Sequence, residues 1–240
     1  LAADMGQDNQ KPISERISIP LEDQLARTGE GLQYLGEVRV SDLPVVNDGA
    51  AGTQSQPFGR VEKSADSDAV SIMAPPPVVT PIGPPPFVFD KGWTGLTFTE
   101  SQGAPPDVSI GVGPDHVMET INVVFAIWDK NGNLVAGPTS LATFFNTGTF
   151  RVFFPKVVYD AESGRFFMVL VGFEPNTLQG RARFATSNSS DPTGSWTTFI
   201  LTTEQFTFPD YPGLGFCSDK VIVTANQFSL VTGNFTGSEY

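Results

Sequence analysis

From about residue 87 onward the apolar positions fall into short runs, each closed by Gly, Pro, Asn, Asp or Ser. VMETIN, VVFAIWD and NLVAG follow one another across tight turns, and KVVYD (156–160), RFFMVLV (165–171), ARFATS (182–187) and WTTFIL (196–201) do the same. Runs of this length, bounded by turn residues, predict β-strands, and short connectors make the strands antiparallel neighbours. Asn131-Gly132 is expected to supply the two positive-φ positions of a type I′ hairpin turn.

A second, longer regularity overlies the first. PPDVSIGVGPDHVMETIN (105–122) is nearly restated by FPDYPGLGFCSDKVIVTAN (208–226). Val117, Phe166 and Val221 open equivalent apolar strands, 49 and 55 residues apart. Four strands in roughly 50 residues is the size of one β-propeller blade, which buries its faces only against neighbouring blades. The expected fold is therefore all-β, a β-propeller-like array of four-stranded antiparallel blades. Two full blades and the start of a third fall within 87–240. A closed propeller needs roughly four to eight, so the ring is expected to be completed past residue 240, or else by residues 1–73 or by other chains.

The first 86 residues read differently. Residues 1–73 form a polar extension, in which YLGEVRV (34–40) and a piece around Ile17–Ile19 have strand character. Residues 74–86 hold seven prolines, and this linker is expected to be extended polyproline II. No apolar run reaches the roughly 18 residues of a membrane span. The chain opens on Leu-Ala-Ala-Asp, without an initiator Met, and is expected to be processed or partial.

Composition sharpens this. Phe occurs 20 times, 17 of them after residue 90, which suits wedges packed between blades. The net charge is -12, with both halves acidic, which argues against nucleic acid as a partner and favours divalent cations. A single cysteine, Cys217, excludes an internal disulfide and reads as a small buried filler. The lone His116 excludes any mechanism that needs two histidines, and it is expected at a turn or rim.

The ordered set PPDVSIGVGPDHVMETIN, YDAESGRF, SDPTGSW and FPDYPGLG, across about 87–230, resembles a family of secreted bacterial β-propeller proteins. Phe166 stands where that pattern has Trp, and Gly213 where it commonly has Lys. The resemblance implies the fold and an extracellular, secreted setting, with no assigned reaction. SSDPTGSW (189–196) also resembles the Asp-box turn of sialidase-type propellers, which implies that Asp191 caps the turn and that Trp196 packs between strands.

Four aspartates precede or open the inner strands: Asp107, Asp115, Asp210 and Asp219. Turn capping is the common use of such residues. Asp107 and Asp210, each held after a proline, are the candidate metal ligands, with calcium the expected cation because it takes oxygen ligands from irregular loops. Asp129-x-Asn131-x-Asn133 is not a calcium loop, since Gly falls at its fourth position and Ser140 where a bidentate Glu belongs. Glu119 paired with Asp210 would suit glycoside hydrolysis, but its mid-strand place reads as a solvated position. No Gly-x-Ser-x-Gly elbow or GxGxxG occurs. The expected function is therefore non-catalytic: binding or assembly, with carbohydrate or protein at the cell surface as partner. Two alternatives stand beside it, a glycan-acting hydrolase or lyase and a structural subunit that pairs with itself through the N-terminal arm or an open blade edge.

Overall fold

The computed structural model describes residues 32–46, 91–101, 103, 105–203 and 205–239. The Pro-rich stretch 74–86 and the strand expected around Ile17–Ile19 lie outside them.

Three antiparallel sheets follow one another along the chain. The first contains β2 (Ser109–Val112), β3 (His116–Ile121), β4 (Val124–Asp129) and β5 (Leu134–Ser140), in that spatial order. The second contains β6 (Arg151–Asp160), β7 (Arg165–Glu174), β8 (Gln179–Ser187) and β9 (Ser195–Thr202). The third contains β10 (Thr207–Cys217), β11 (Lys220–Ser229) and β12 (Phe235–Glu239). Sequence order equals spatial order in each, which is the meander of a propeller blade. These are consecutive blades of an all-β, propeller-like array. Two single-turn helices complete the elements: α1 (Phe98–Ser101) and α2 (Leu141–Phe144), the latter capped by the Ser140 hydroxyl, which accepts from the Thr143 amide.

The strands expected to be equivalent are so in space. Val117, Phe166 and Val221 each lie on the second strand of a sheet, opposite Val112, Tyr159 and Phe216 of the first. β2 and β3 pack on β6, and β10 packs on β6, β7 and β8. The aromatic excess sits at these junctions. Phe125, Phe144, Phe145, Phe166 and Trp196 share one buried cluster between the first two sheets. Phe153, Phe154, Phe173 and Phe208 share another between the second and third. Gly111 in β2 and Gly113 just after it make room for this packing, because a Cβ on Gly113 would sit 2.7 Å from the Phe166 ring.

The second sheet has a fifth strand. β1 (Leu32–Arg39) pairs antiparallel with β9, so the order is β1-β9-β8-β7-β6. The chain then makes a 3₁₀ turn at Val40–Asp42 and reaches the first sheet, where Val45 bridges Thr139 and the Val46 amide donates to the Pro138 carbonyl. Val40 is buried in the first aromatic cluster. One segment thus fastens the outer edges of two blades, covering strand edges that would otherwise expose unpaired backbone groups.

Two local expectations are corrected. The β4–β5 turn is not type I′: Gly132 has φ +85, but Asn131 is not in the left-handed region. The Asp129 carboxylate determines the turn instead, accepting from the amides of Asn131 and Asn133 and from the Asn133 side chain. Cys217 is exposed, not a buried filler. It lies at the end of β10, and its thiol donates to Asp219.

Candidate functional site

The inner strands β6 and β10 each carry an irregularity in their first half. Pairing slips between Phe153 and Lys156 on β6 and between Asp210 and Gly213 on β10. A non-glycine residue with positive φ sits five residues before the position opposite Val117, Phe166 and Val221 in each repeat: Asp107 at 46°, Phe154 at 51° and Tyr211 at 47°. At Phe154 and Tyr211 it falls within the bulge, which bends the strand and re-aims its side chains.

The register resolves an ambiguity in the repeat. The Asn122 amide donates to the Pro106 carbonyl, whereas Asn226 pairs with Asp210. Asp107 therefore corresponds to Tyr211, and Asp210 to Pro106. The two aspartates are offset by one residue, because the second copy of the repeat has one more residue between its Asp and the strand that follows.

Asn122 ties the first sheet to the second. Its Nδ2 donates to the Pro105 carbonyl (2.6 Å) and to Asp107 Oδ2, while its Oδ1 accepts from the buried Phe154 amide at 2.8 Å. Asp107 is thus oriented by a side chain that also fixes the neighbouring bulge. Asp210 lies half-buried on β10. Burial pushes its carboxyl above the usual range, the charge of Asp107 pushes it further, and the Tyr211 amide opposes both. The two candidate ligands named from sequence, 103 residues apart in the chain, are therefore brought within electrostatic reach of each other. Beside them the exposed Tyr211 ring stands 6.2 Å from Phe154 and carries the Lys156 ammonium 4.6 Å above its centre.

The remaining candidates are elsewhere. Asp115 is exposed in the turn before β3. Asp219 pairs with Lys220 at 2.6 Å in the β10–β11 turn. Glu119 is not a solvated strand position: it is half-buried and accepts from the Leu96 amide at 3.0 Å, beneath a segment that runs over β3. Burial pushes its carboxyl up, the Leu96 amide opposes this, and Glu100 adds to it. Nothing joins Glu119 to Asp210. His116 opens β3 with Nδ1 3.8 Å from Asp191. Asp191 caps its turn, accepting from the amide and hydroxyl of Thr193, and the wholly buried Trp196 donates its indole N–H to the Pro192 carbonyl. No group of three or more His, Cys, Asp or Glu side chains suited to a metal ion occurs among the described residues. No helix among them is long and apolar enough to cross a membrane.

Sequence reasoning missed Tyr211, Lys156 and Asn122. Asn122 is the last residue of the repeated stretch 105–122, and only its hydrogen bonds give it a role.

Neither a family model nor a curated protein matches the chain. Among solved structures it is similar to an exo-β-1,3-galactanase from Clostridium thermocellum, at 16% identity over 55% of this chain and 36% of that one, TM-score 0.36. It is also similar to an arabinanase from Bacillus subtilis, at 12% identity over 55% and 54% of the two chains, TM-score 0.33. An endo-arabinanase from Bacillus licheniformis gives 13% identity over 55% and 53%, TM-score 0.33. The aligned part thus spans between about a third and just over half of those chains. Scores this low carry no argument about activity.

Proposed function

We propose that the protein is a secreted or cell-surface β-propeller that binds carbohydrate, without turnover, at the leading end of its inner strands. The observation that carries this reading is the convergence of Asp107 and Asp210 beside the exposed Tyr211 ring. Carboxylates accept hydrogen bonds from sugar hydroxyls, and an exposed aromatic ring offers a flat apolar face with a polar tip. The test is isothermal titration against a panel of neutral and acidic polysaccharides. Tyr211→Ala and Asp210→Asn should each weaken binding at least tenfold; equal binding by all three proteins overturns the reading. Calcium enters the proposal as a bridge between the two carboxylates. If it plays that part, EDTA lowers the melting temperature of the wild type and leaves that of Asp210→Asn unchanged.

A second reading, glycoside hydrolysis, is favoured by the raised carboxyl of Asp210 next to Asp107. Two carboxyls turned to one site, one of them raised by burial, is the kind of pairing this chemistry uses. Release of reducing ends from any member of the panel, abolished in both Asp107→Asn and Asp210→Asn, would replace binding by catalysis.

A further inference from the structure

The strand β8 carries two arginines, Arg181 and Arg183, on the face of the second sheet that turns toward the first. Ala185, next on that face, belongs to the first aromatic cluster. Arg183 is only 6% exposed, and its guanidinium carbon lies 5.2 Å from the centre of the Phe150 ring. The Nε atoms of both arginines are buried without a hydrogen-bond partner. The basic–acidic contacts among the described residues lie elsewhere, at Lys220–Asp219 and, at 3.8 Å, His116–Asp191. Glu174, the carboxylate on the same face, is engaged by the Thr149 hydroxyl and by Asn176.

A ring face offsets only part of the cost of burying a guanidinium, which presents five N–H donors. Here two guanidinium groups two residues apart repel each other. Burial, and then the charge of Arg181, lower the Arg183 pKa to about 10. In a chain of net charge -12, two arginines without a carboxylate partner among the described residues mark a place for an anion from outside.

We propose that Arg181 and Arg183 bind a carboxylate carried on a sugar, so that the ligand is an acidic glycan. The identity of the carrier rests on the carbohydrate reading above; the anion site does not. Register supports the link. Arg181 pairs with Gly172, and Gly172 with Val152, one residue before the Phe153–Lys156 bulge. The arginines therefore stand at the same end of the sheet as Asp107 and Asp210, about 10 Å, or two strand spacings, out from the inner strand. A planar carboxylate matches the guanidinium fork. A single negative charge is also repelled less than a phosphate by the acidic surface and the aspartate pair.

The test is titration of the 240-residue chain with an oligosaccharide of glucuronic acid, with its methyl ester, and with free glucuronate. Wild type should bind the acid oligosaccharide at least tenfold more tightly than the ester. Arg183→Met should lose that preference, with a melting temperature no lower than wild type, since it removes a buried unpaired charge. Arg181→Gln, at a less buried position, provides the same reading if Arg183→Met fails to fold. Equal affinity for acid and ester, or wild-type affinity for the acid in both variants, overturns the proposal. Arg183-dependent binding of free glucuronate without binding of any oligosaccharide keeps the anion site and overturns the carbohydrate reading. Binding of acid and ester alike, lost in Asp210→Asn, does the reverse.

Discussion

The two junctions between sheets are built differently, though the sequences that form them nearly repeat. Between the first and second sheets the packing is closed on several sides. Phe166 enters the space left by Gly111 and Gly113, Asn122 bonds across at the inner end, and the segment 32–46 fastens the outer edges. Between the second and third sheets the aromatic stack of Phe153, Phe173 and Phe208 holds the centre, but the inner end is polar, with Asp210, Lys156 and the exposed Tyr211. The same repeat thus yields a sealed seam in one place and an open, charged rim in the other.

The largest expected effect lies in the sealed junction. Trp196 is wholly buried against Phe144 and Phe166, and Trp196→Ala should cost about 3–5 kcal/mol in chemical denaturation. A loss under about 1 kcal/mol would mean that the junction is not tightly packed. Asn122→Ala comes next. It strands the buried Phe154 amide and should cost about 2 kcal/mol, while also loosening Asp107, so glycan affinity should fall with stability.

A glycine tests the close approach at the sealed junction. Gly113→Ala forces a methyl group against Phe166 and should cost about 1–3 kcal/mol. A loss under about 0.5 kcal/mol would mean that the Phe166 ring has room to move aside.

A smaller effect concerns pH. The Glu119 carboxyl is raised in the folded protein, so the folded state holds its proton more tightly than the unfolded chain does. The resulting stability is fully present below the unfolded pKa and is lost as pH rises through the folded one. Glu119→Gln, whose side chain can still accept from Leu96, should flatten the fall in melting temperature as pH rises above the ordinary glutamate pKa of about 4.3. An unchanged profile would mean that the carboxylate is well solvated. The smallest effect is at Cys217. Its exposed thiol should react with a thiol reagent in the folded protein without shifting the melting temperature; protection until unfolding would place it inside a contact.

These contrasts also show what could be read from sequence. β6 to β9 were legible because each strand is an apolar run closed by turn residues such as AESG and SNSSDPTG. The Asp191 turn and its Trp196 were legible because capping is local chemistry. Docking of β1 on β9 was not, since a pairing between distant segments leaves no mark in either. The burial of Glu119 escaped for a related reason: its cover comes from residues near Leu96, and an alternating strand pattern does not say what lies above it. The offset between Asp107 and Asp210 was hidden by the identical Pro-Asp pairs, which invite an alignment that the backbone does not follow.

The attachment of β1 has a consequence for synthesis. The Gly36 carbonyl accepts from the Thr198 hydroxyl, 162 residues further along. At about 5–20 residues per second, the earlier segment waits roughly ten to thirty seconds for its docking edge to leave the ribosome. During that interval Tyr34 and Leu35 have no sheet to join, and a holding chaperone has its opportunity to act.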